Sequence, residues 1–179
     1  IFKGQVWSFT TEPRAYAIET VAVTTNGISD EGLGIENTIN GSGLNDQDEH
    51  SVEAMDMWLA TAPADESLWI EYEFDRVYPL HELWVWNYNV QFEIVLGYGL
   101  KDVTIEYSTD GVEWTTLGDA QFNQATGKET YVYNTAVDLQ GVAARYVRLN
   151  VNSGWGQLGQ YGLSEVRFYY LPVNPREPE

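Results

Sequence analysis

Ala143-Ala144-Arg145-Tyr146-Val147-Arg148-Leu149-Asn150-Val151 runs directly into Asn152-Ser153-Gly154-Trp155-Gly156-Gln157-Leu158-Gly159-Gln160-Tyr161-Gly162, and then into Leu163-Ser164-Glu165-Val166-Arg167-Phe168-Tyr169-Tyr170. The first run alternates with period two. Val147, Leu149 and Val151 point one way, Arg148 and Asn150 the other, which is the pattern of a strand with one buried face. The middle run carries four glycines and no basic residue, so it reads as a long loop. The third run closes as a second strand.

Working outward, the same period recurs. Ile18 to Thr25, Leu68 to Asp75, Leu80 to Asn89, Val103 to Ser108, Val112 to Leu117 and Glu129 to Leu139 are each expected to be strands. Thr109-Asp110-Gly111 between two of them is a hairpin signal, because glycine accepts the positive φ of the turn. Gln91 to Leu100 reads as a loop. No stretch shows a convincing helical period. About eight antiparallel strands joined by irregular loops imply an all-β fold, a β-sandwich or jelly roll. Gln5 to Thr10 also alternates. It reads either as the last strand of a preceding module or as an edge strand of this one, and residues 1–15 are set apart on that ground. Residues 172–179, rich in proline, read as a linker.

Composition narrows the function classes. The chain has 179 residues, enough for one domain with its own core. Apolar residues make up 44%, so the chain is expected to fold. Nine basic against 27 acidic residues give a formal charge of −18. Nucleic acid and anionic membranes both require cationic contacts, so neither is an expected partner, and no membrane insertion is expected. A neutral ligand, or one that arrives with cations, suits the charge. The chain has no cysteine, which excludes a disulfide scaffold and thiolate metal sites. No apolar run approaches the roughly 18 residues of a membrane helix. The abrupt ends, with no signal-peptide pattern at Ile1, lead us to expect a domain excised from a longer, extracellular or cell-surface protein.

Three motifs carry a family resemblance. Ala144-Arg145-Tyr146-Val147-Arg148-Leu149 followed by Ser164-Glu165-Val166-Arg167-Phe168 is similar to the closing half of the discoidin family, the coagulation-factor (F5/8) C-type domains, which include the family 32 carbohydrate-binding modules. Ile105-Glu106-Tyr107-Ser108-Thr109-Asp110-Gly111-Val112-Glu113-Trp114 resembles the family's "IxxSxDGxxW" hairpin, and Leu68 to Asp75 its "WIxVDLG" strand. The resemblance covers residues 16–171, with an insertion in the acidic loop of residues 26–63. It implies a galactose-binding-domain-like jelly roll.

That acidic loop contains no lysine or arginine and is long for a segment without regular structure, which points to a functional or metal-organised role. Glu36-Asn37-Thr38-Ile39-Asn40-Gly41-Ser42 resembles the family's "xNAxDG" segment, where a structural calcium ion is wrapped. Carried over by position, the resemblance implies Asn37 and Ser164 through their carbonyls, together with Asn40, Ser42, Asp56 and Glu165. Ca²⁺ takes six to eight oxygens of these kinds. Asn40 stands where the family has aspartate, and Asp56 is expected to restore the lost charge. The competing reading is a solvated acidic loop. Asn45-Asp46-Gln47-Asp48-Glu49-His50 lacks the glycine and distal glutamate of a calcium loop, so it signals a second ion only weakly.

Sugar recognition needs a flat ring against the pyranose face and amides or acids around it. Trp155, Tyr98, Asn87, Asn89, Glu93, Gln157 and Gln160 lie on candidate loops at one sandwich end and are the expected ligand residues. Trp155 leads because Gly154 and Gly156 flank it. The opposing reading folds it back as a lid. Trp69, Trp84, Trp86 and Trp114 lie within strands and read as core. No nucleophile elbow, histidine cluster or phosphate loop is present, so no catalysis is expected. The expected role is a non-catalytic glycan-binding module beside neighbouring modules of a parent chain. The alternative is a protein-interaction or spacer module.

Overall fold

Alternation in the run from Trp69 carries on past the point where the sequence loses its pattern, at Asp75-Arg76-Val77. In the computed structural model, which describes residues 15–172, one 19-residue strand, β4 (Trp69–Asn87), replaces the two strands expected there. It changes layer at Pro79. Up to Pro79 it pairs with β8 (Ala143–Val151), and from Leu80 onward with β9 (Gln160–Tyr170). Proline has no N–H to give, so a ladder that ends on it costs no bond. Its carbonyl still accepts Leu171 N–H at 3.2 Å.

Nine antiparallel strands are found among the described residues, against about eight expected. One layer holds β2 (Val21–Thr25), the first half of β4, β8, β5 (Asp102–Ser108) and β6 (Thr115–Gln121), in that spatial order. The other holds β7 (Thr135–Asp138), the second half of β4 and β9, with β1 (Tyr16–Ala17) and β3 (Trp58–Thr61) sharing the far edge of β9. Of the run Ile18 to Thr25 only Val21–Thr25 forms a strand, β2; β1 lies just upstream of the run and serves the other layer. Glu129 to Leu139 forms a strand only over β7; upstream of it Tyr131 makes an isolated bridge with His50, and Tyr133 stacks on Trp84 at 4.1 Å. The loop of residues 91–100 contains one helical turn, α1 (Glu93–Leu96), set between Phe92 (φ 70°) and Gly97 (φ 68°). Of the expected terminal segments, residues 1–15 and 172–179, all but residues 15 and 172 lie outside the described residues.

The layers meet face to face. Phe168 of β9 lies 5.1 Å from the Tyr72 ring and 5.0 Å from the Phe74 ring of β4. Val147, Leu149 and Val151 are buried as their period requires, beside Ile70, Val103 and Ile105. Each such side chain contributes about 1.5–3 kcal/mol by leaving water. On the outer side, Arg148 pairs with Glu71 at 2.6 Å and lies 4.0 Å from the Trp114 ring centroid. Trp114 and Trp69 therefore pack on a half-exposed sheet face and not in the core. Trp86 is fully buried, since residues 48–50 and the aromatic segment near Tyr131 cover it; its Nε1 donates to Asp48 O at 2.9 Å.

β9 carries a bulge opposite the end of β4. Trp86 faces Glu165 and Asn87 faces Leu163, so Ser164 is the extra residue. Bulges re-aim side chains. Here the consecutive residues Leu163, Ser164, Glu165 and Val166 are all buried.

Candidate functional site

β4, β6 and β8 end, and β5 and β9 begin, at one end of the sandwich. Residues 88–101, 122–134 and 152–159 link them, and these loops pack on one another. Trp155 N–H donates to Gly99 O at 3.0 Å, and Gly156 N–H to Gly97 O at 2.7 Å. A Cβ on Gly156 would run into Leu96 O, so only glycine permits this approach of the loop to α1.

Three of the expected sugar ligands are interior struts. Asn87 is fully buried; its Nδ2 donates to Leu100 O at 2.7 Å and Asn123 O at 2.9 Å, and its Oδ1 accepts Tyr88 N–H and Leu100 N–H. Asn89 is equally buried. It donates to the carbonyls of His50, Ser51 and Lys128 and accepts Gly127 N–H at 2.9 Å. Glu93 is buried and accepts Tyr98 N–H at 3.1 Å and Gly99 N–H at 2.9 Å. Burial pushes its carboxyl up, against the pull of those two N–H donors. The expectation that Asn87, Asn89 and Glu93 meet a sugar is corrected: buried polar groups must be satisfied, and these satisfy loop backbone. They hold the site without lining it.

The surface residues are Trp155, Tyr98, Gln157 and Gln160. Trp155 is 37% exposed. Its indole Nε1 donates to Phe122 O at 3.0 Å, and Lys101 Nζ lies 5.2 Å from its ring centroid. The lid reading is only partly met: the ring is tied down along one edge yet keeps exposed area. Tyr98 is half-buried, edge-on to Tyr88 at 5.9 Å. Gln157 is exposed. Gln160 pairs with Thr61 and lines a cleft of about 100 Å³ with Ile28, Asp30 and Leu33. Sequence reasoning gave no role to the exposed apolar residues Ile94 and Val95 of α1 or Leu158 of the 152–159 loop; Phe92, just before α1, is exposed as well. The left-handed conformation of Phe92 before α1 has no sequence signature. Larger clefts lie elsewhere, one of about 330 Å³ beside Ile18, Asn40 and Glu165 and one of about 230 Å³ beside Asn45, Glu49, Glu53 and Glu129. The Trp155 surface is open.

The expected calcium ligands form a second cluster around residues 37–42. Glu165 Oε2 accepts Gly41 N–H at 3.1 Å; Asn40 Oδ1 accepts Ser42 N–H at 2.8 Å; Ser42 Oγ donates to Asp56 O at 3.2 Å. Asn37 Nδ2 donates to the carbonyls of Gly32, Met55 and Met57, which leaves its Oδ1 toward Asn40. One expectation is corrected. The Asp56 carboxylate turns to Ser51 Oγ at 2.6 Å, so Asp56 meets Ser42 through its carbonyl, and no charge is restored there. The Ser164 hydroxyl donates to Asn87 O at 2.8 Å, which leaves the main-chain carbonyl as the group expected to ligate. Among the described residues no three acidic or histidine side chains converge as a metal cage. What remains is one carboxylate among neutral oxygens. Glu165 is 4% exposed, and burial pushes its carboxyl up to about 7. A buried carboxylate among amide, hydroxyl and carbonyl oxygens suits a hard cation in donor type, with little charge. Residues 45–50 offer less. Asp48 pairs with Arg167 at 2.7 Å, Asn45 donates to Glu49, and His50 is buried, which lowers its pKa.

Comparison with known proteins places this geometry. Among curated proteins none matches the chain in sequence. The first of the similar solved structures is a family 89 glycoside hydrolase of Clostridium perfringens in complex with GlcNAc-α-1,4-galactose, at 17% identity and TM-score 0.60; the match covers 91% of this chain and 15% of the hydrolase. The F5/8 type C domain of a Bacteroides fragilis protein matches at 16% identity and TM-score 0.67, over 90% of this chain and 100% of that one. The family 32 carbohydrate-binding module of C. perfringens NanJ, in complex with galactose, matches at 12% identity and TM-score 0.61, over 87% and 98%. These likenesses establish the jelly-roll fold. The sequence model of the F5/8 type C domain matches residues 20–166, so the chain belongs to the F5/8 type C, or discoidin, domain family.

Proposed function

We propose that this domain is a non-catalytic carbohydrate-binding module of a larger secreted protein, and that it holds glycan on the loop end around Trp155. The observation that carries the reading is the state of Trp155: a large ring fixed at its edge by Phe122 O, with 37% of its surface left in water. A ring held this way offers a sugar a stacking surface without the ordering cost of a mobile side chain. Tyr98 and Gln157 flank it as candidate polar contacts. The NanJ module solved with galactose and the hydrolase solved with a galactose-containing disaccharide support a galactose-type ligand as the first to test. A shallow site that buries little surface binds in the range of roughly 10 µM to 1 mM.

Calcium belongs to the same proposal as a structural ion. Glu165, Asn40, Ser42 and the main-chain carbonyls of Asn37, Asp56 and Ser164 would hold it, and it would neutralise the buried carboxylate. Its part is to pin the 26–57 segment; no chemistry is assigned to it.

A second reading, a protein-interaction module, is favoured by the exposed apolar residues Phe92, Ile94, Val95 and Leu158. A glycan array probed with the domain and with Trp155→Ala, with and without calcium, separates the two. Binding to one sugar class that Trp155→Ala abolishes at unchanged melting temperature supports the glycan site. Silence across the array sinks it and leaves the apolar surface as the functional one.

A further inference from the structure

Three asparagines in the 26–57 segment separate two chemical conditions. Asn26 precedes Gly27, Asn40 precedes Gly41, and Asn45 precedes Asp46. Glycine leaves the amide nitrogen after an asparagine unshielded by any Cβ. Asn26 has that condition alone. Its Oδ1 accepts Trp69 N–H at 3.0 Å and its Nδ2 donates to Ser67 O at 2.9 Å, so the side chain is stretched across to the start of β4. Gly27 N–H is held by Thr25 Oγ1 at 3.0 Å. Asn45 has the other condition. Its Oδ1 accepts Gln47 N–H at 2.9 Å, an Asx turn that folds the side-chain amide back along its own backbone. The residue after it is the bulkier Asp46.

Asn40 has both. Its Oδ1 accepts Ser42 N–H at 2.8 Å in the same turn, a bond that also polarises the side-chain carbonyl. Its Nδ2 is steadied by Asn37 Oδ1 at 3.3 Å. Gly41 lies at φ 72° with open space where a Cβ would stand. Gly41 N–H donates to Glu165 Oε2 at 3.1 Å, which fixes the Gly41 amide in place. Asn40 and Gly41 are exposed, so water reaches both carbonyls.

We propose that Asn40 is a site of self-catalysed covalent modification, where the Gly41 amide nitrogen displaces the side-chain nitrogen of Asn40. The bond from Gly41 N to Asn40 Cγ forms and the Cγ–Nδ2 bond breaks. Nδ2 leaves as ammonia, taking up the proton that Gly41 N gives away. The resulting succinimide is opened by water, whose hydroxyl goes to one imide carbonyl and whose proton returns to the ring nitrogen. Opening at Cγ gives an aspartate; opening at the main-chain carbonyl gives an isoaspartate. Either product places a carboxyl beside Glu165 where a neutral amide stood. The reaction needs only water and is independent of the glycan reading; a bound calcium ion would occupy Asn40 and Glu165, so the test is run in calcium-free buffer.

The test is peptide mapping by mass spectrometry of the folded domain incubated at neutral pH, following amide-to-acid conversion at positions 26, 40 and 45. Asn40 is expected to convert at least about tenfold faster than Asn26 or Asn45, because only there do the Asx turn and an unshielded glycine nitrogen coincide. In denaturant Asn26 and Asn40, both followed by glycine, are expected to convert at similar rates. Asn40→Gln, which keeps the amide, is expected to remain unconverted. Equal conversion of Asn26 and Asn40 in the folded domain overturns the proposal. So does an Asn40 that stays intact when folded and converts only when unfolded.

Discussion

The indole Nε1 of Trp155 donates to the main-chain carbonyl of Phe122 at 3.0 Å. Phe122 is itself fully buried in the core, immediately after β6, so the bond ties a glycine-rich surface loop to a rigid strand end. The ring is positioned by the fold and still meets solvent.

Trp155→Ala is therefore expected to abolish glycan binding at small structural cost. The lost bond and the lost Lys101 contact are each worth about 1 kcal/mol or less at a partly exposed site. Isothermal titration with a binding sugar and a thermal melt on the same variant check both halves. Trp155→Phe keeps a stacking ring without the tether and is expected to bind with reduced affinity.

Gly156→Ala tests the tether's other support. Its Cβ would collide with Leu96 O, a main-chain atom that cannot swing aside. The loop must shift, and Trp155 with it. Glycan affinity is expected to fall by about tenfold or more although no side chain of the site is removed. Unchanged affinity would show that the position of Trp155 does not matter.

Asn87→Ala and Asn89→Ala are expected to show the opposite signature to Trp155→Ala. Each removes a buried amide with at least four bonds and strands main-chain groups away from water. A loss of about 2–4 kcal/mol in chemical denaturation is expected. A direct ligand role would instead reduce binding and leave stability intact.

Glu165 predicts a pH dependence in calcium-free buffer. Its carboxyl is raised from 4.5 to about 7, so the folded state keeps a proton that the unfolded chain has lost. The stability this adds is complete below about pH 4.5 and is lost as pH rises to about 7, with a size on the order of 3 kcal/mol. Buried His50 works the other way, its lowered pKa costing stability as pH falls below 6.5. The difference between wild type and Glu165→Gln across this window isolates the carboxylate, and a flat difference would contradict the assignment.

Asn40→Asp is expected to tighten calcium binding several-fold, since affinity at such oxygen sites follows ligand charge. The readout is the calcium-induced rise in melting temperature, larger in the variant than in wild type. No rise in either would remove calcium from the functional reading.

Period-two alternation was legible for most of the strands because a face that must leave water writes itself into every second residue. It placed Val147, Leu149 and Val151 inside and Arg148 outside. It could not show that Trp69 to Asn87 is one strand, because Asp75-Arg76-Val77 turn outward where the strand passes between layers. The site followed the same division. Local composition put an aromatic ring and amides on the loops of one sandwich end, and the amino-acid sequence by itself determined the fold class, the acidic character and Trp155 as the prime candidate. Only the tertiary structure decided which polar residues face out. Asn87, Asn89 and Glu93 look like sugar ligands in one dimension. In three they are consumed by loop backbone that would otherwise be buried unpaired, because satisfaction of polar groups depends on partners far away in the chain. The same holds for Asp56, whose carboxylate is turned by a neighbouring hydroxyl.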